Sequence, residues 1–200
     1  GWTGTSTTSS IDATAGSNGG NITVTANNSC GTSSPQILSI IINNVPSAPG
    51  PITGSTTVCV GANETYSVNP ITGATAYNWT LPNGWTGSSS TNTINAIAGN
   101  VGGNISVTAS FACGTSLPQT LAVVAQTTPV LSGTIIGNIN ACDGSSSDYN
   151  ISLVNGATDY IWNAPNDWTF TSNTNSVNML VGSTSGNVTV SAQNSCGISN

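Results

Sequence analysis

Apolar and polar residues alternate along this chain in short runs, and no run has the three-to-four residue spacing of a capped amphipathic helix. Between residues 46 and 128 the alternation predicts a succession of strands. Thr56–Val60 is a short first strand, and the turn at Gly61–Asn63 leads into Glu64–Val68, with Tyr66 and Val68 on one face. Ala76–Leu81 places Tyr77, Trp79 and Leu81 on a common face, and Pro82–Gly84 turns the chain. Thr93–Ile97 follows, then Asn104–Phe111, which alternates on Ile105, Val107, Ala109 and Phe111. Cys113–Ser116 forms a tight turn before a last strand over Leu117–Ala125. Thr, Val and Ile fill the strands, and Gly, Asn and Pro interrupt them at intervals of roughly 8–12 residues, which predicts a β-sandwich of about seven strands.

The same pattern recurs with a period of 83 residues and no insertion or deletion. Trp2, Trp85 and Trp168 keep that spacing, as do Cys30, Cys113 and Cys196. So do the pairs Cys59 and Cys142, Tyr66 and Tyr149, Tyr77 and Tyr160, Trp79 and Trp162, and Pro46 and Pro129. The expected organisation is all-β, a tandem array of immunoglobulin-like or PKD-like sandwiches. Residues 1–45 form the C-terminal part of a first unit, 46–128 a complete second unit, and 129–200 a third lacking its last strand. Gly1 aligns with Gly84, and Asn200 follows the Cys-Gly-Ile-Ser segment, so both ends are expected to fall inside units that a longer array or a neighbouring chain completes.

Composition narrows the function. The chain has no Lys, Arg or His, and six acidic residues give it a formal charge of −6. Nucleic-acid binding rests on cations that neutralise phosphate, and attraction to anionic lipid rests on the same groups, so neither partner is expected. No apolar run approaches the ~20 residues of a membrane span. Without His or Lys, Ser has no basic partner, and general acid–base chemistry falls to carboxylates alone. Asp159 and Asp167 are the nearest candidates for an acid and base in the third unit, but the second unit has Ala76 and Gly84 in their places. An enzyme is therefore not expected, and no cofactor is implied.

The runs "VCVGANETYSV", "GATAYNWTLPNGW" and "GGNISVTASFACGTS" resemble the PKD-like/immunoglobulin-like repeats of large secreted surface proteins of Bacteroidota. These include giant gliding adhesins of the SprB type and other cargo of the type IX secretion system. The most specific parts are Tyr77 to Trp85 and the Cys113-Gly114 pair, and the third unit departs from the run with Asp167 in place of Gly84. The resemblance implies an extracellular, cell-surface stalk or adhesive filament whose partners are neighbouring repeats or subunits; surface polysaccharide is a candidate partner only through the exposed-Trp reading of Trp2, Trp85 and Trp168. It implies no particular ligand.

The remaining candidates are individual residues. Cys30, Cys59, Cys113, Cys142 and Cys196 are disulfide candidates, as expected for small units in an oxidising exterior. Two connectivities are open. Within units the bonds are Cys59–Cys113 and Cys142–Cys196; between units, Cys59 meets Cys196 because the last hairpin of one unit faces the base of the preceding one. Either way, the partner of Cys30 lies before residue 1. Trp79 and Trp162 are expected in the core. Trp2, Trp85 and Trp168 either cap the core edge or form an exposed platform for sugar. Asp143–Asp148 has some look of a calcium loop, but two carboxylates are few for that ion and a solvated turn is the simpler expectation. A zinc site would have to use Cys alone, and no Cys-x-x-Cys occurs. Thr23, Thr25, Thr108 and Thr189 are too sparse for an ice-ordering lattice. The Pro-rich stretch Val45–Pro51 and the shorter junction near Thr127–Val130 are expected to restrict hinging between beads. The leading function is a stiff structural or adhesive stalk. Its alternatives are carbohydrate binding through exposed Trp and a self-assembling filament with strand exchange between chains.

Overall fold

Seven strands build the second unit, the number expected from the alternation. They are Thr57–Cys59, Asn63–Ser67, Ala76–Thr80, Thr93–Ile97, Gly103–Phe111, Gly114–Thr115 and Gln119–Gln126. The structure is a computed structural model that describes residues 2–43 and 47–199. The expected boundary at Val45 and Pro46, and the matches made for Gly1 and Asn200, lie outside the described residues.

The long Gly103–Phe111 strand organises the unit. On one side it pairs antiparallel with Ala76–Thr80, and on the other with Gln119–Gln126. Gln119–Gln126 in turn pairs in parallel with Thr57–Cys59. Asn63–Ser67 and Thr93–Ile97 form the facing sheet. Alternation then sends Tyr66, Ile94 and Ala96 from this sheet, and Ile105, Val107 and Val123 from the other, into one core. Tyr77, Trp79, Leu81 and Leu121 pack against it while staying partly exposed.

The third segment repeats the design. One sheet runs Ile136–Gly137, Ser146–Asn150, Ser176–Leu180, Thr169–Phe170, and the other Asp159–Asn163, Thr189–Asn194, Gly197–Ile198. Tyr149, Tyr160, Trp162, Val177, Met179 and Ala192 are buried between them. Residues 2–43 form less: Gly20–Val24 pairs with Gln36–Ile40, Asn27–Asn28 pairs with Gly31–Thr32, and most apolar side chains there stay exposed.

Side-chain hydrogen bonds recur with the period, which explains why the sequence repeats so strictly. The Tyr77 hydroxyl accepts from the Ile71 amide, and the Tyr160 hydroxyl from the Val154 amide, at 2.8 Å in each case. Trp79 Nε1 donates to the Thr91 carbonyl and Trp162 Nε1 to that of Thr174, both at 2.9 Å. Ser33, Ser116 and Ser199 each accept a backbone amide, from Ala26, Ala109 and Ala192, at 2.9 Å. Buried polar groups need such partners, so Ser116 and Ser199, each 6% exposed, are constrained by folding alone. Gly54 and Gly137 obey a steric rule instead: a Cβ at either would run into the ring of Tyr66 or Tyr149.

Candidate functional site

The place where two units become one body is the junction around Thr127 and Thr128. Gln119–Gln126 runs straight into it, with Gln126 opposite Cys59 on the parallel partner strand. The Val60 amide donates to the Gln126 carbonyl at 2.9 Å, which fixes the Cys59 backbone at the end of the unit. From the third segment, the hairpin between Thr189–Asn194 and Gly197–Ile198 folds back onto the same point. Of the two connectivities open in the sequence, the structure forms the one between units. Cys59 and Cys196 are bonded with a Cα–Cα distance of 5.4 Å and a sequence separation of 137. The bonds Cys59–Cys113 and Cys142–Cys196 are not formed, because Cys59 ends the strand at the junction while Cys113 turns a hairpin elsewhere. Cys30, Cys113 and Cys142 are exposed thiols.

Hydrogen bonds hold the junction beside the disulfide. Asn194, only 5% exposed, donates through Nδ2 to the carbonyls of Thr127 at 2.8 Å and Gly156 at 3.0 Å. Its Oδ1 accepts from the Cys196 amide at 2.8 Å, which turns the hairpin so that Cys196 faces the preceding unit. The Thr128 hydroxyl donates to the Cys196 carbonyl at 3.3 Å. Pro129, next in the chain, is buried, and its ring fixes φ where a hinge would otherwise lie. Sequence reasoning missed Asn194. Its counterpart one period earlier is Phe111, but two periods earlier Asn28 stands in the same Asn-Ser-Cys-Gly run and accepts from the Cys30 amide at 2.8 Å, so the repeat and the local cue for an Asx turn both pointed to it.

Two of the three tryptophans of the platform expectation, Trp85 and Trp168, pack against a core. Trp85 is 7% exposed and belongs to the core, 6.4 Å from Tyr66 between ring centroids. Trp168 is half-buried, with its ring 6.3 Å from Tyr149. Trp2, Trp85 and Trp168 each donate Nε1 to a carbonyl sixteen residues on, those of Asn18, Val101 and Thr184. With its indole buried in the core and its Nε1 bonded to the Val101 carbonyl, Trp85 presents no exposed flat face.

The acidic residues are dispersed. Asp148 accepts from Asn178 Nδ2 at 2.6 Å across the strand pair, and Asp159 accepts from the Thr158 hydroxyl at 2.8 Å. Asp167 accepts from the Thr184 amide at 2.9 Å and from the Ser183 hydroxyl at 3.3 Å. The Thr184 amide bond holds the Asp167 carboxyl below its ordinary range. No group of three or more His, Cys, Asp or Glu gathers among the described residues.

A family profile described as "PKD-like domain" matches residues 1–40, 45–123 and 128–200. No curated protein matches the chain. Similar solved structures include murine CEACAM1b, 14% identical over 74% of this chain and 96% of that one, with a TM-score of 0.43. FdeC, an Escherichia coli adhesin, is 13% identical over 91% of this chain and 70% of that one, with a TM-score of 0.47. The Bacteroides ovatus protein SGBP-B, in complex with a mixed-linkage heptasaccharide, is 12% identical over 98% of this chain and 55% of that one, with a TM-score of 0.26.

Proposed function

This chain belongs to the PKD-like domain family, and from that premise we propose that it is a segment of an extracellular stalk, a row of non-catalytic β-sandwich beads that holds an adhesive tip away from a cell surface. The observation that carries the reading is the junction. A covalent bond from Cys59 to Cys196 and two hydrogen bonds, from Asn194 to Thr127 and from Thr128 to Cys196, tie the hairpin to the end of the preceding unit and to the linker, so rotation of one bead on the next meets resistance. Beads joined only by a free linker would swing, and length would not add up into reach. Disulfides persist in oxidising surroundings, which supports an exterior location. The resemblance to secreted Bacteroidota adhesins supports a finer form of the same reading, a piece of a surface adhesin exported by the type IX system and acting in attachment or gliding.

Small-angle scattering of the oxidised chain tests the stalk reading. The expected result is a fixed, elongated arrangement of the second and third units that becomes flexible on reduction. Independent motion of the two units in the oxidised state would refute it.

A further inference from the structure

Three Asn-Gly pairs occur in the chain, at Asn18-Gly19, Asn83-Gly84 and Asn155-Gly156. Asparagine is thermolabile, and most so before glycine. With no Cβ in the way, the glycine amide nitrogen reaches the Asn carboxamide carbon and closes a succinimide ring. Within a fold, burial of the carboxamide or a hydrogen bond on the glycine amide restrains that reaction.

Neither restraint applies at Asn155. Its side chain is exposed, and residues 154–157 form a β-turn in which the Ala157 amide donates to the Val154 carbonyl at 3.2 Å. Gly156 has a φ of +77° and no non-glycine residue has a positive φ, which makes the turn type II. The central amide of such a turn lies outside the turn's own bond, and among the described residues the Gly156 amide has no acceptor. Asp143-Gly144 is the contrast. Its turn is built the same way, with the Ser145 amide on the Cys142 carbonyl at 3.0 Å, but the Gly144 amide donates to the Val181 carbonyl at 2.9 Å.

The surroundings of Asn155 give the reaction a consequence. The Gly156 carbonyl is one of two that Asn194 Nδ2 holds, and the other is that of Thr127 in the linker. One period earlier Thr72 stands for Asn155 and Phe111 for Asn194, so the reactive pair and the clamp beside it occur together in the third segment and are both absent from those positions of the second unit. Asn83-Gly84 lies in a similar turn, but its glycine carbonyl takes no part in the junction.

We propose that Asn155 is a site of spontaneous deamidation, a self-modification that loosens the junction as the molecule ages. The Gly156 nitrogen bonds to Asn155 Cγ, the Cγ–Nδ2 bond breaks, and ammonia leaves with the proton that the amide gives up. Water then opens the succinimide at either carbonyl, giving aspartate or isoaspartate. Both products add a negative charge to the chain's −6. Isoaspartate also routes the backbone through Cγ and lengthens it by one carbon. The turn cannot absorb that atom at its start, because the Val154 amide is bonded to the buried Tyr160 hydroxyl at 2.8 Å. The displacement falls on the Gly156 carbonyl, and Asn194 loses one of the two bonds that orient its amide toward Thr127.

Incubation of the oxidised chain in warm, mildly alkaline buffer tests the proposal, with Asn18→Gln and Asn83→Gln so that a single Asn-Gly pair is left. Glutamine would have to close a larger ring and stays intact. Chymotryptic peptide mapping suits a chain without Lys or Arg, and mass spectrometry of the peptides reads aspartate and isoaspartate at each position. Asn155 is expected to convert at least about tenfold faster than the exposed Asn166, which precedes Asp167, and Asn155→Gln to remove the product. The Cys196 amide, held by Asn194 Oδ1, is then expected to exchange hydrogen at least about tenfold faster in the aged chain than in the fresh one, with no change in aged Asn155→Gln. Conversion of Asn155 no faster than that of Asn166, or an Asn155 that stays intact while a peptide of residues 152–158 converts, would overturn the site. Unchanged exchange at Cys196 after full conversion would overturn the effect on the junction. The stalk reading survives each of those outcomes, since it is measured on fresh protein.

Discussion

Replacing Cys59 and Cys196 with Ser removes the covalent link at the junction, and the size of the effect follows from where the link sits. If the second unit stays folded, Cys59 is held beside Gln126, so the tether on an unfolded third segment runs from Gln126 to Cys196, 70 positions along the chain. Loop-closure entropy over that length stabilises the third segment by about 4 kcal/mol. A unit of this size has roughly 4–11 kcal/mol in total, so the bond is a large share of it. At an m-value of about 1–2 kcal/mol/M, the urea midpoint of the third segment falls by roughly 2–4 M. Fluorescence of Trp162 and Trp168 follows that transition, with the other three cysteines replaced by Ser to prevent reshuffling. Tension gives a second reading of the same bond. Force applied to the chain ends passes from Cys59 to Cys196 through sulfur and bypasses everything between them, a separation of 137 in sequence. Reduction under load should release roughly 450–490 Å of additional contour length. An unchanged urea midpoint, together with the same contour increments in oxidised and reduced chains, would refute the claim that the bond couples the units.

Asn194→Ala leaves the Thr127 and Gly156 carbonyls without their donor, and it should cost about 1–3 kcal/mol in the third segment while loosening the junction in scattering of the reduced chain. Gly137→Ala should destabilise the third segment by about 1–3 kcal/mol through collision with the Tyr149 ring, whereas Ala at Gly144, whose Cβ would meet nothing, tests only the cost of its positive φ. Burial, aided by the Glu64 charge, raises the Tyr66 hydroxyl above its ordinary value of 10.0. A raised folded-state value means that stability is complete below 10.0 and declines as pH rises through the folded value, so thermal melts of the second unit should be flat near neutrality and fall in strong alkali. Depression of the Asp167 carboxyl has the opposite sense: its contribution is present above the ordinary carboxylate range and disappears as acid protonates it, which the Asp167→Asn variant should abolish from the acid limb of the melts.

The period of the repeat, the strand alternation and the side on which Tyr66, Ile105 and Val107 face were legible in the chain alone. They are local properties: a residue's face in a strand depends on parity, and a repeated sequence must repeat its parity. The inward role of Trp79 and Trp162 was legible for the same reason. Trp85 and Trp168 were not settled, because they follow turns, and parity does not carry through a turn. Cysteine connectivity also stayed open. Spacing is identical for a bond within a unit and one between units, and only the path of Gln119–Gln126 into the junction brings Cys59 to Cys196. Asn28 and Asn194 share the period and the turn they make, but the bond from Asn194 to the Thr127 carbonyl joins segments 67 positions apart and was not legible in either run. The sequence by itself determined that the strand Gln36–Ile40 recurs one period later at Gln119–Val123; the tertiary structure alone decided which of its side chains the core covers, Val123 among them, since burial is a relation between segments far apart in the chain.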